Sequence, residues 1–161
     1  MDRYDKLPQE LQKHVRGGKG ESMLDGYLRF LTLSESERYE SLGQSWSGWQ
    51  ESIPFAVTAF GDLLAWTEDG YIMMYRFIEN KAQIILSGAT FFDVNINDPD
   101  YQKDFFDLDL FKQARRNIGP LRAEESYIFE PIPALGGAKE SLYLSNTGKT
   151  WEYLNYVISM C

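Results

Sequence analysis

Phe55-Ala56-Val57-Thr58-Ala59-Phe60-Gly61-Asp62-Leu63-Leu64-Ala65-Trp66-Thr67-Glu68-Asp69-Gly70-Tyr71-Ile72-Met73-Met74-Tyr75-Arg76-Phe77 carries the strongest local signal in the chain. Aromatic, aliphatic and β-branched residues run up to Thr67-Glu68-Asp69-Gly70 and resume after it. An Asp-Gly between two such runs marks a tight reversal of antiparallel strands, because glycine accepts the positive φ the turn needs. A further strand over 82–86 follows Glu79-Asn80-Lys81, a second turn of suitable length. The expectation is a three-stranded antiparallel meander with bulky residues on both faces, so each face needs a cover.

Working outward, that cover reads as helical, which makes the fold class α+β: a central antiparallel β-sheet covered by α-helices. Before the meander, Pro8 suits the first turn of a short helix to about Arg16, with Gly17-Gly18 as its stop. A strand is expected within 26–33. Ser34 as N-cap with Glu37 three residues on forms a capping box for a helix over 35–43. After the meander come helices over 89–97, 100–106 with Asp100 as its cap, and 108–118 with Asp107 as its cap. The last carries Leu110, Phe111, Ala114 and Ile118 on one face and ends at Gly119-Pro120. Tyr127-Ile128-Phe129 reads as a short strand, Gly136-Gly137 as a turn, and 150–160 as a final helix capped by Thr150.

The chain has 161 residues with 24 acidic and 16 basic side chains, a formal net charge of −8, and 43% hydrophobic residues. That is enough apolar material for a core and unlike a disordered tail. The acidity argues against direct binding to nucleic acid or anionic lipid, whose affinity comes from clustered Lys and Arg. Residues 93–109 hold six acidic groups and one basic group, whereas 110–161 hold five acidic and six basic. One cysteine, Cys161, excludes an internal disulfide and a cysteine zinc site, and one histidine, His14, excludes any constellation needing two. The N-terminus shows no signal-peptide pattern, and no apolar run approaches the roughly 18–20 residues of a membrane span, so a cytoplasmic setting is expected. No cofactor is expected.

Several runs, taken together, resemble a known family. They are Phe55 to Leu63 with the hairpin to Tyr71; Phe105-Phe106-Asp107-Leu108-Asp109-Leu110-Phe111 with Ala114-Arg115-Arg116 and Gly119-Pro120-Leu121; Tyr127-Ile128-Phe129-Glu130-Pro131; and Ala134-Leu135-Gly136-Gly137. In order and spacing they resemble the C-terminal domain of type VI secretion DNase immunity proteins, over about 55–160. The resemblance implies an intracellular protein that binds and neutralises a cognate secreted bacterial toxin, a DNase, by occlusion and without catalysis. It also implies a single α+β domain over 1–161, with 1–54 as a shortened N-terminal region and 55–161 as the C-terminal-type region. The alternative is a regulatory or scaffold module of the same superfamily that binds another protein.

The candidate partner-binding residues are Asp93, Asp98, Asp100, Asp104, Asp107, Asp109, Trp46 and Trp49. A nuclease site lined with phosphate-holding cations accepts an acidic protein surface and attracts it at long range. The same aspartates also read as helix caps and first-turn residues, where carboxylates satisfy exposed N–H groups. Trp46 and Trp49, in the polar run Gln44-Ser45-Trp46-Ser47-Gly48-Trp49, read equally as interface anchors or as core aromatics. Asp93, Asn95 and Asn97 alternate like the start of an EF-hand loop, but Asp98 and Pro99 stand at its sixth and seventh positions and Asp104 at its twelfth. No metal site follows. No nucleophile, base and oxyanion set can be assembled, so the chain is not expected to be an enzyme.

Overall fold

The computed structural model describes residues 2–16, 21–130 and 143–160. The hairpin forms as expected, with β3 (Ser52–Thr58), β4 (Leu63–Thr67), β5 (Tyr71–Arg76) and β6 (Lys81–Ser87) in sequential antiparallel order. The meander is larger than three strands. β1 (Ser22–Met23) and β2 (Leu28–Phe30) extend it to six, with Leu28 opposite Thr58 and Phe30 opposite Ala56. β2 is the strand expected within 26–33 and pairs with the edge of β3, while β1, only two residues long, carries no periodic signal of its own and forms by pairing with β2.

Both faces are covered, as the bulky residues on each require. Phe55, Phe60, Leu63, Leu64, Met74 and Tyr75 are fully buried, in one continuous cluster of buried side chains that runs from Tyr4 to Ile158. Helix α1 spans Gln9–Val15, close to the expected 8–16. Helix α2 spans Leu33–Gln44, packs on β3, and corrects the expected cap: Thr32, not Ser34, is the N-cap. Its hydroxyl accepts from Glu35 N at 3.2 Å, and Glu35 accepts from Thr32 N at 3.1 Å. The register moves by two residues because Arg29 on β2 donates to both Glu35 oxygens, at 3.1 and 2.9 Å.

Three helices follow the sheet: α3 (Phe92–Ile96), α4 (Pro99–Phe105) and α5 (Leu108–Ile118). The first is shorter than the expected 89–97, and Asp98 rather than Asp100 caps the second, accepting from Tyr101 N at 3.2 Å. Pro99 at the first helical position makes Asp98 the natural cap, since proline tolerates that place and no N–H is lost there. Strand β7 (Glu125–Glu130) pairs with β8 (Tyr143–Lys149) as a separate two-stranded sheet, and Tyr127 N donates to Ala59 O at 2.9 Å, tying it to the end of β3. Helix α6 (Thr150–Ser159) packs on both strands; Lys149 holds the N-cap position, and the Thr150 hydroxyl instead meets that of Ser126 at 2.5 Å. The expected Gly136-Gly137 turn lies outside the described residues. Among the described residues no helix is long and apolar enough to cross a membrane.

Candidate functional site

The segment richest in aspartate folds into α3, α4 and α5, and the sheet holds it in place at one bend. Arg76, at the end of β5, extends its nearly buried guanidinium to the junction of α4 and α5. It donates to Phe105 O and to Glu79, the latter at 3.2 Å, and lies 3.9 Å from the Asp107 carboxylate. From β2's approach, Tyr27 OH accepts from Asp107 N at 3.1 Å. Burial, with the charges of Asp62 and Asp107 nearby, pushes the Tyr27 phenol well above its ordinary value, so it stays protonated and neutral. A charged side chain inside an apolar strand is costly unless paired, and this pairing fixes where the two helices diverge. Beside the junction opens a cleft of about 650 Å3, whose walls include Lys103, Phe106, Asp107, Asp109, Lys112 and Phe129.

The six aspartates do not share one fate. Asp93, half-buried, turns toward α1: it forms an ion pair with Lys13 and accepts from His14 Nε2 at 2.7 Å. Burial alone would raise its carboxyl, but the hydrogen bonds from Lys13 and His14 outweigh it and hold Asp93 below its ordinary value of 3.8. The His14 ring stacks on Phe30 at 4.5 Å, and its Nδ1 meets Glu21 at 2.8 Å, so it links α1 to α3 across β2. Asp107 stands at the N-cap position of α5 without the expected side-chain cap bond, turned instead toward Arg76. Asp98, Asp100, Asp104 and Asp109 are exposed. The side-chain amides of Asn95 and Asn97 donate back to Phe91 O at 2.9 Å and Asp93 O at 2.8 Å. Among the described residues no group of three or more His, Cys, Asp or Glu is arranged to hold a metal ion.

Of the two readings of each tryptophan, burial corrects the exposed-anchor reading for Trp46, while Trp49 remains partly open. Trp46 is 6% exposed, edge-on to Phe77 and Tyr75, with Nε1 donating to Asn80 Oδ1 at 3.0 Å. Trp49 is half-buried and stacks on Tyr75 at 4.5 Å. Glycines beside the rings serve packing: a Cβ on Gly43 would lie 2.3 Å from the Trp49 ring, and one on Gly48 would lie 2.3 Å from that of Trp46.

Residues 87–160 match the family model described as T6SS immunity protein Tdi1, C-terminal. Those residues carry α3 to α6, β7 and β8, and every residue lining the 650 Å3 cleft. The motifs at 55–77 lie outside the match. No curated protein matches the chain. Among solved structures, the crystal structure of Atu4351 from Agrobacterium tumefaciens is similar in fold, with a TM-score of 0.70 at 18% identity over 99% of this chain and 79% of that one.

Sequence reasoning missed Arg76, Tyr27 and the apolar pair Phe91 and Val94. A signal existed for two of these features. Arg76 is the one charge in the run from Tyr71 to Ile78, and a charge in a strand otherwise buried needs a partner. In 91–96 apolar residues stand at 91, 92, 94 and 96, more than a single stripe of a short helix buries, so some of them must face outward.

Proposed function

We propose that the chain is the immunity partner of a type VI secretion toxin and neutralises a nuclease inside the producing bacterium by tight, stoichiometric binding without turnover. The observation that carries this reading is the group of exposed carboxylates Asp98, Asp100, Asp104 and Asp109 on the helices of the family-matched segment. A nuclease presents cations where phosphate is to sit. An acidic surface is drawn to such a site at high association rates and competes with nucleic acid for it. Asp93 and Asp107 support the same surface from behind, since their charges are engaged by Lys13, His14 and Arg76.

The test is co-expression with a candidate type VI secretion toxin, sought first in the reading frames beside this gene. Expected are a co-eluting complex, survival of the producing cells and intact chromosomal DNA. A toxin that binds and is silenced but never cleaves DNA sinks the nuclease assignment while leaving immunity. A toxin that is neither bound nor silenced sinks the whole reading.

A further inference from the structure

Helix α3 has five residues, too few to hold a helical shape unaided, and it is braced on several sides. Phe92 and Ile96 anchor it in the core at 1% and 0% exposure. Lys13 and His14 of α1 grip Asp93 on its flank. The side-chain amides of Asn95 and Asn97 close its carbonyls at Phe91 and Asp93. What this bracing presents to solvent is Phe91 and Val94, three residues apart, 65% and 69% exposed. A single exposed apolar residue is ordinary, but two on one face of a preorganised turn have the form of an interface anchor.

We infer that Phe91 and Val94 are the apolar centre of the toxin-docking surface, with Asp98, Asp100 and Asp104 as its acidic rim; this rests on the immunity reading above. The occupant is a toxin surface with a shallow apolar pocket bordered by Lys and Arg. Interfaces of this kind place desolvated apolar anchors centrally and charges around them, the anchors setting dissociation and the rim setting association. Asn97 closes α3 and Asp98 caps α4, so anchor and rim are consecutive in the chain and held by one framework. Rigidity lowers the ordering cost of binding. Charge also selects against a second copy as occupant. A two-fold contact centred on Phe91 would bring each copy's Asp98, Asp100 and Asp104 toward the other's, like against like.

The experiment measures binding of the full chain to the candidate toxin, inactivated at a catalytic residue, by surface plasmon resonance at two salt concentrations. Phe91→Ser with Val94→Ser is expected to raise Kd by about 100-fold, mostly through faster dissociation, at an unchanged melting temperature. Val94→Glu serves as a second variant at the more exposed site. Asp98→Asn with Asp100→Asn and Asp104→Asn is expected to slow association roughly tenfold and to weaken its salt dependence. Ile84→Ser, an exposed apolar residue on β6 at 53%, is the control and is expected to change nothing. If the wild-type chain binds the toxin and both α3 variants bind equally well, the docking surface is elsewhere and the immunity reading survives. If the wild-type chain neither binds nor protects, both fall together. Self-association that Phe91→Ser abolishes makes a second copy the occupant and overturns the inference.

Discussion

The meander β3–β5 and the helical segment 91–109 use their residues in opposite ways. In the meander nearly every side chain is buried, and position along the strand settles its surroundings, because alternate residues face opposite covered sides. In the helical segment, residues of one type divide by the partners they meet: Asp93 and Asp107, half-buried, turn to cations, while Asp98, Asp100, Asp104 and Asp109 face water. Apolar burial is non-directional and follows a pattern, whereas the fate of a carboxylate follows whichever cation the fold brings near.

Four measurements test this contrast. The largest effect is expected from Phe60→Ala, which empties a fully buried site ringed by Tyr27, Tyr127 and Phe129 at the junction of the two sheets. Urea unfolding should show a loss of about 3–5 kcal/mol. A loss no larger than that of a surface change would mean the aromatic cluster does not join the sheets. Next is Arg76→Met, which leaves Phe105 O, Glu79 and Asp107 without their cation and is expected to cost about 3 kcal/mol. Adding Asp107→Asn should recover part of that loss. Strict additivity in the double-mutant cycle would show that Asp107 is not held by Arg76.

Thr32→Ala removes the α2 cap and is expected to cost about 1 kcal/mol, measured by thermal melting; Ser34→Ala should cost far less, which separates the observed cap from the one the sequence suggested. The smallest effect is Asp93→Asn. Because the Asp93 carboxyl is held below its ordinary 3.8, its pairing adds stability above that pH and loses it as pH falls through the lower folded value. With a side chain 38% exposed, the contribution is expected to be only a few tenths of a kcal/mol. Acid titration of stability should therefore be slightly shallower in the variant, and an unchanged profile would remove Asp93 from the pairing with α1.

The hairpin and α5 were legible because their signals are local. Aromatic, aliphatic and β-branched runs on both sides of Asp69-Gly70, and an apolar stripe ending at Gly119-Pro120, need no knowledge of neighbours. The α2 cap was ambiguous because Thr32 with Glu35 and Ser34 with Glu37 satisfy the same rule; Arg29, reaching across from β2, decides between them. Strand β8 was missed because Tyr143-Leu144-Ser145-Asn146-Thr147-Gly148-Lys149 has little strand character of its own and becomes a strand by pairing with β7. Trp46 and Trp49 stayed ambiguous for a related reason. Their polar neighbours suggest a surface, yet the rings find Phe77 and Tyr75, which lie about thirty positions away in the chain.

By itself the sequence determined the α+β class, the central hairpin, the boundaries of α5, the concentration of negative charge at 93–109 and the resemblance to an immunity family. Each is carried by residues near one another in the chain or by their order along it. Only the tertiary structure decided which aspartates keep their charge for solvent, that Arg76 and Tyr27 hold the bend between α4 and α5, and that α3 turns Phe91 and Val94 outward. The reason is the range of the forces involved: patterning and turn chemistry act between neighbours, while ion pairing and burial depend on groups that meet only when the chain has closed on itself.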